Sequence, residues 1–135
     1  MLVPEHLKYS REHVWVRVEG SRAVLGMTDF AQTEFGGIVF VELPEEGDVV
    51  NAGEPFCSVE SVKSVTELAS PLTGKVLRAN RVLEREPMLV NQSPYEKGWM
   101  VELEWSDARE LEPLWTAEQY AAAYDQEDGR QGRDE

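Results

Sequence analysis

An internal repeat places the strongest constraint on the fold of this chain. The segment 44–53, PEEGDVVNAG, matches the segment 71–80, PLTGKVLRAN, and its Pro, Gly, Val and Ala recur at a constant offset of 27 residues. Both segments end in a residue that tolerates the left-handed backbone conformation, Gly53 and Asn80. The constant register predicts two similar β-units that are related by an approximate two-fold axis.

Periodic apolar residues predict strands on both sides of the repeat. Valine alternates with other residues over 14–18, and a turn then leads to a returning strand over 23–25. The nearly continuous apolar run 38–43 predicts a strand that is covered on both faces. The segment 99–105 alternates Trp, Val and Leu with Met and Glu, which predicts an amphipathic strand.

Capping residues predict short helices near the two ends of the chain. Thr28 is a good N-cap for a helix through Phe35 that Gly36 and Gly37 end, and Thr116 with Gln119 forms a capping box. The predicted helical segments are therefore 28–35, 82–85, 108–115 and 116–124. The segment 91–98 has the composition of a loop, and 126–135 is predicted to be a frayed polar tail.

Length and charge exclude several classes of function. The chain has 135 residues, which is typical of one domain, and 13 basic against 26 acidic residues give a net charge of −13. Such a charge repels phosphate backbones and anionic lipid, so we expect neither nucleic-acid nor membrane binding. With one cysteine, Cys57, no intramolecular disulfide can form. No secretory signal or membrane-spanning run is visible, and we expect a cytoplasmic protein.

The segment between the two repeats presents a single lysine. Two runs rich in Val and Thr, 56–63 and 64–69, predict a β-hairpin with Lys63 near its tip. Lys63 is the only lysine between Asn51 and Gly74. A modifying enzyme needs an amine held out on a defined turn, and amide formation would remove the charge of that amine.

Catalytic and metal-binding signatures are missing from the sequence. It contains no GxSxG, HExxH or CxxC motif and no glycine-rich phosphate loop. His6 and His13 lack further ligands at metal-site spacing, and Cys57 is expected to be a small buried apolar residue. No nucleophile–base pair is visible, which argues against a stand-alone enzyme.

The residues around Lys63 resemble a known modification motif. The segment 59–63, VESVK, is similar to the lipoylation motif of the glycine cleavage H-protein family. Similar segments occur in the order expected of that family over about residues 7–124, at 9–15, 26–32, 37–47, 70–74, 89–91 and 94–99. The resemblance implies a mainly β barrel-sandwich hybrid fold of the lipoyl/biotinyl type, with a single carrier domain over 1–125.

The resemblance also implies a role. Lipoate would be attached to Lys63 through an amide, by lipoyl-attaching enzymes that recognise Glu60, Ser61 and Val62. The chain would be a carrier and not a catalyst. It would take the aminomethyl group of glycine from the P protein, a glycine decarboxylase, to the T protein, an aminomethyltransferase. The L protein, a dihydrolipoyl dehydrogenase, would reoxidise the arm. A tethered arm supplies a high effective concentration to each active site.

Three positions depart from the family pattern. Val14 stands where the family usually has Glu, Gly37 where an acidic residue is common, and Glu67 where Asp is common. The residues expected to line a cleft for the loaded arm are Glu12, His13, Val14 and Glu67. If the N-terminal segment is extended, Glu12 lies on the same face as Val14, and Glu12 and Glu67 together would hold the arm.

The departure at Val14 leaves one alternative open, an H-like protein outside glycine cleavage that acts as a lipoyl relay or a redox-linked scaffold. A biotinyl domain is disfavoured, because biotin-accepting lysines typically lie between methionines and Lys63 lies between Val62 and Ser64.

Overall fold

The periodic segments form strands in a computed structural model that describes residues 1–124. Within these residues the strands are β1 (Lys8–Tyr9), β2 (Val14–Glu19), β3 (Arg22–Met27), β4 (Ile38–Glu42), β5 (Val49–Val50), β6 (Pro55–Ser61), β7 (Val65–Ala69), β8 (Gly74–Ala79) and β9 (Val101–Trp105). They pair into a six-stranded antiparallel sheet in the order β1-β2-β3-β9-β8-β5 and a three-stranded sheet in the order β4-β6-β7. The predicted mainly β class is confirmed.

The two repeated segments lie side by side in the larger sheet. Strand β5 pairs with the start of β8, with Val49 opposite Lys75. At equivalent positions of the two segments, the amides of Gly53 and Asn80 donate to the carbonyls of Ser70 and Met100, at 2.7 and 2.9 Å. The two positions differ in backbone conformation, because Gly53 has φ 87° whereas Asn80 does not have a positive φ.

Short helices connect some of the strands and follow the last one. They are α1 (Asp29–Phe35), α2 (Val82–Arg85), α3 (Leu89–Gln92), a 3-10 helix (Ala108–Leu111) and a helix over 117–124, the end of the described residues. Thr28 caps α1 as predicted, with its side chain accepting from the Ala31 amide. The capping box of Thr116 and Gln119 is also confirmed by two reciprocal hydrogen bonds of 2.9 and 3.2 Å.

Two predicted boundaries are wrong. The helix expected over 108–115 ends at Leu111, ahead of Pro113, whose ring nitrogen carries no hydrogen for a helical bond. The loop expected over 91–98 begins inside α3, because Asn91 and Gln92 complete its single turn. The polar tail expected at 126–135 lies outside the described residues. No helix within 1–124 is long and apolar enough to cross a bilayer.

Most apolar side chains pack into a core that includes residues of both sheets, and a second cluster surrounds Trp15, Tyr9 and Tyr120. Trp15 is fully buried, and its indole nitrogen donates to the Pro94 carbonyl at 2.9 Å. Its ring lies directly over Gly26, where a Cβ would come within 2.5 Å of ring atoms. Glycine is therefore required at position 26 for this contact.

Burial differs from the prediction in two strands. Strand β4 is not covered on both faces: it lies at the edge of its sheet, and Val39 and Phe40 are 51% and 50% exposed beside a register shift. Strand β9 is not cleanly amphipathic, because Glu102 is buried. Arg78 and Arg22 reach that carboxylate from neighbouring strands, at 2.9 and 3.4 Å, and compensate its charge.

Candidate functional site

The β6–β7 hairpin ends in a tight turn that presents Lys63. Register pairs Ser58 with Glu67 and Glu60 with Val65, and the Ser61 amide then donates to the Ser64 carbonyl at 2.8 Å. This bond closes the hairpin and leaves only the two residues 62 and 63 between its ends. The predicted hairpin with Lys63 at its tip is confirmed.

The Ser61 side chain organises this turn. Its hydroxyl oxygen accepts hydrogen bonds from the amides of Lys63 and Ser64, both at 3.2 Å. Ser61 is buried, whereas Val62 is 80% exposed and Lys63 is exposed as well. A serine that satisfies turn amides reduces the conformations open to the backbone. The lysine is thus held on an ordered turn.

The stem of the Lys63 side chain lies over the end of helix α1. A Cβ built on Gly36 would lie 3.6 Å from the Lys63 Cε atom, so the lysine stem runs past a residue that has no side chain. Gly36 has φ 80° and ψ −161°, a backbone region that is essentially restricted to glycine. Gly36 therefore ends the helix in a backbone conformation that requires glycine, directly beneath the lysine stem.

Asn91 fixes the backbone beneath this stem. Its amide nitrogen donates to the Gly36 carbonyl at 2.8 Å and to the Gln32 side chain at 3.0 Å. Its amide oxygen accepts from the Ile38 amide at 2.9 Å. One side chain from α3 thus clamps the connection between α1 and β4. In the sequence, Asn91 stands out only as part of a resembling segment, because its partners lie more than 50 residues away.

Two of the residues predicted for the arm cleft lie side by side but in different surroundings. Val14 is fully buried and belongs to the main core. His13 has φ 72° and shares a 2.7 Å hydrogen bond between its Nδ1 and the Tyr120 hydroxyl. The His13 ring also packs against Phe30 and Tyr124. Burial lowers the pKa of His13, and the charges of Glu12 and Glu34 partly oppose this shift.

The structure does not bring the two predicted carboxylates together. The segment 11–13 is a turn and not an extended strand, with the Ser10 amide bonded to the Val14 carbonyl at 2.9 Å, so Glu12 does not follow the face of Val14. Glu12 lines a cavity of about 190 Å³ with Gly53 and Ser70, at the open end of the hairpin. Lys63 lies at the other end of β6, about 20 Å away at the usual rise per residue.

Glu67 instead faces the outside of the three-stranded sheet. It lines a different cavity, of about 230 Å³, together with Ser58 and Glu42. Its position on β7, four residues after Lys63, agrees with the prediction that it lies just past the hairpin tip.

Glu34 is a candidate for this site that the sequence analysis did not single out. It is exposed on α1, two residues before Gly36, and its charge acts on His13. The Lys63 stem and Glu34 thus lie near the C-terminal end of α1, whereas the His13 ring packs against Phe30 in its first turn. No local pattern marks Glu34, because this neighbourhood depends on how the helix packs against the hairpin and the N-terminal turn.

The other candidate reactive groups are not arranged for chemistry. Cys57 is buried, its thiol lies 3.5 Å from the Met100 sulfur, and burial raises the pKa of this thiol far above its usual range. Among residues 1–124, no three His, Cys, Asp or Glu side chains are grouped so that they could hold a metal ion. The expected role of Cys57 as a small apolar core residue is confirmed.

Comparison with known proteins decides the family. The glycine cleavage H-protein family model matches residues 7–127. The chain belongs to this family. The H protein of the glycine cleavage system from Bacillus cytotoxicus is 57% identical over 127 residues, which cover 94% of this chain and all of the relative. The corresponding protein from Staphylococcus saprophyticus is 58% identical over 121 residues, covering 90% and 96%.

A solved structure of the H-protein family has the same fold. The crystal structure of a glycine cleavage system H protein from Mycobacterium marinum superposes with a TM-score of 0.82 at 31% identity, covering 90% of this chain and 98% of that one. The resemblance inferred from the motifs and the barrel-sandwich type of fold are confirmed. As a member of the H-protein family, the chain is a lipoyl carrier of glycine cleavage.

Proposed function

We propose that Lys63 is the residue of this carrier that bears the lipoyl group, through an amide at its Nζ atom. The observation that carries this proposal is the Ser61-capped turn, which holds an exposed lysine at the tip of a rigid hairpin. Within residues 1–124 no ion pair engages the Lys63 amine. Acylation of the Lys63 amine therefore breaks no ion pair within these residues.

The surroundings of Lys63 fit an arm attached at this atom. Its stem already runs over the backbone of Gly36, and Asn91 holds that backbone in place. Conversion to an amide removes the positive charge, so an arm that packs on the protein carries no ammonium desolvation cost. When bound, the lipoyl group supplies the disulfide that accepts the aminomethyl group of glycine.

The partners proposed for this carrier follow from membership of the glycine cleavage system. They are the P, T and L proteins, which act on the arm, and the lipoyl-attaching enzymes, for which Glu60, Ser61 and Val62 form the recognition motif. The chain itself performs no turnover in this proposal. We place it in the cytoplasm, in keeping with its single buried thiol.

We propose that Glu34 and His13 hold the loaded arm, because Glu34 lies two residues before Gly36, which the Lys63 stem overlies, and the charge of Glu34 acts on His13. Glu67, on the outer face of the three-stranded sheet, is the alternative carboxylate, and Glu104, exposed on β9 of the other sheet, is the control. A carboxylate that pairs with the protonated amine should slow spontaneous release of ammonia and formaldehyde. Release from the isolated loaded carrier should therefore be faster in Glu34→Gln than in Glu104→Gln. Equal release rates in the two variants would show that other residues hold the loaded arm.

Peptide mapping of the protein from its native host tests the attachment site. A lipoyl-sized mass increment should occur on the peptide that contains Lys63 and on no peptide with Lys8, Lys75 or Lys97, the other lysines of the chain. Lys63→Arg should abolish the increment, whereas Lys97→Arg, at another exposed position, should retain it. An unmodified Lys63 in cells that lipoylate other proteins would contradict the proposal.

A further inference from the structure

The outer face of the three-stranded sheet carries an exposed apolar row beside the hairpin tip. Phe40 on β4 pairs with Glu60 on β6, which pairs with Val65 on β7, so the three side chains lie next to one another on one face. Phe40 is 50% exposed and Val65 is 65% exposed. An exposed phenylalanine that is flanked by further exposed apolar residues is typical of an interaction surface.

A second row adds negative charge to this surface. Glu42, Ser58 and Glu67 pair across the same three strands two residues further along, and therefore on the same face. Both glutamates and Glu60 are exposed, and none of the three forms an ion pair within residues 1–124. We call these six residues the outer hairpin face: Phe40, Glu42, Ser58, Glu60, Val65 and Glu67.

We propose that the outer hairpin face is the docking surface for the enzyme that acylates Lys63, and that this enzyme contacts Phe40 and Val65 with an apolar surface flanked by basic side chains. The proposal deepens the proposed function and rests on it. It adds residues of β4 and β7 to the recognition motif at Glu60–Val62. These residues join the motif only in the folded sheet.

The geometry favours the attaching enzyme over the enzymes that use the finished arm. Acylation forms a bond between Nζ and the carbonyl carbon of an activated acyl donor, while Nζ loses a proton and the donor's leaving group departs with the bonding electron pair. That enzyme must therefore bring its catalytic groups to the lysine itself. Glu60 and Val65 lie three and two residues from Lys63, within roughly 10 Å along the strands. Enzymes that act at the far end of the arm have no such requirement.

Charge complementarity indicates the chemistry of the partner. Three carboxylates that form no ion pair within residues 1–124 surround two apolar side chains on a chain of net charge −13. An acidic partner surface would be repelled, whereas lysines and arginines at the rim of a partner would speed the encounter and orient it. The apolar row supplies the area that such a contact buries.

The test compares two valines of equal exposure. Val65→Ser changes the outer hairpin face, and Val49→Ser changes a valine that is 66% exposed on β5 of the other sheet. Lipoylation is measured on purified unmodified chain with lipoate, ATP and a purified lipoyl-attaching ligase. Phe40→Ser should lower kcat/KM by roughly five- to tenfold and Val65→Ser by about threefold, through KM, while Val49→Ser stays near wild type. Circular dichroism and the melting temperature establish that each variant is folded.

A charge variant provides an independent test of the same surface. Glu67→Lys should raise KM about threefold at low salt, and this difference should shrink as salt screens the contact. Wild-type kinetics for Phe40→Ser, Val65→Ser and Glu67→Lys in folded protein would overturn the docking surface. The docking surface would also be overturned if the wild-type chain formed a dimer that Phe40→Ser abolished while lipoylation stayed unchanged, because the face would then bind a second copy of the chain. A wild-type chain that is never acylated at Lys63 would instead overturn the proposed function.

Discussion

A single hydroxyl group gives the Lys63 turn its order. Because the Ser61 oxygen accepts from two amides of the turn, Ser61→Ala should leave both without their partner and loosen the tip, at a cost of about 1 kcal/mol per lost bond. We expect faster hydrogen exchange at the Lys63 and Ser64 amides and slower lipoylation. Ser64→Ala is the matched control, since it removes an exposed hydroxyl from the same turn. Unchanged exchange in Ser61→Ala would show that the backbone bond alone holds the turn.

His13 should make the stability of the protein depend on pH. Burial lowers its pKa in the folded state below the ordinary 6.5, so the unfolded chain binds a proton more readily. The stabilising contribution is therefore complete above pH 6.5 and is lost as pH falls through the lower, folded-state pKa. Replacing His13 with asparagine, which tolerates its positive φ, should reduce the loss of unfolding free energy on acidification.

The exposed His6 provides the control for this prediction. His6→Asn should keep the wild-type difference in unfolding free energy between neutral and mildly acidic pH, measured by chemical denaturation. The carboxylates contribute to the same pH dependence in all three proteins, so the comparison between variants isolates the histidine. If His13→Asn and wild type lose equal stability on acidification, the burial of this ring does not control its proton.

At the scale of elements, the junction between α1 and β4 depends on one of two adjacent glycines. Gly36 has φ 80°, whereas Gly37 lies outside the left-handed region and has open space around it. Gly36→Ala should therefore cost roughly 1–3 kcal/mol of unfolding free energy, while Gly37→Ala should change it little. Chemical denaturation of both variants checks this. Equal destabilisation by the two alanines would contradict the role assigned to the Gly36 backbone beneath the Lys63 stem.

Elements that depend on local pattern could be predicted, whereas their burial could not. The hairpin around Lys63 and the Thr28 cap follow from residues that are close in sequence. The exposure of Phe40 could not be predicted from residues close in sequence, because it depends on the position of β4 at a sheet edge. The burial of Glu102 is likewise invisible locally, since the compensating Arg22 and Arg78 come from two other strands. Polarity alone therefore assigned both of these positions to the wrong environment.

At the scale of the whole molecule, the repeat predicted two similar β-units, and the structure adds that their strands β5 and β8 pair with each other. The surroundings of the arm were harder to predict. Placing Glu12 beside Val14 required an extended segment, but the chain turns at 11–13 and Glu12 reaches the open end of the hairpin. Asn91 donates to the Gly36 carbonyl and the charge of Glu34 acts on His13, and both relations depend on packing between segments that are far apart in sequence. Motifs located the lysine proposed for modification, and tertiary structure was needed for its neighbours.

The central claim is that this chain is a carrier that acts only through a modified Lys63, and the exchange of labelled carbon dioxide into glycine tests it most directly. Purified lipoylated chain should support exchange only when P protein is present. The unlipoylated chain and Lys63→Arg should support none above the level of P protein alone, whereas lipoylated Lys97→Arg should match wild type. Exchange by the lipoylated chain without P protein, or full exchange with Lys63→Arg, would contradict the account.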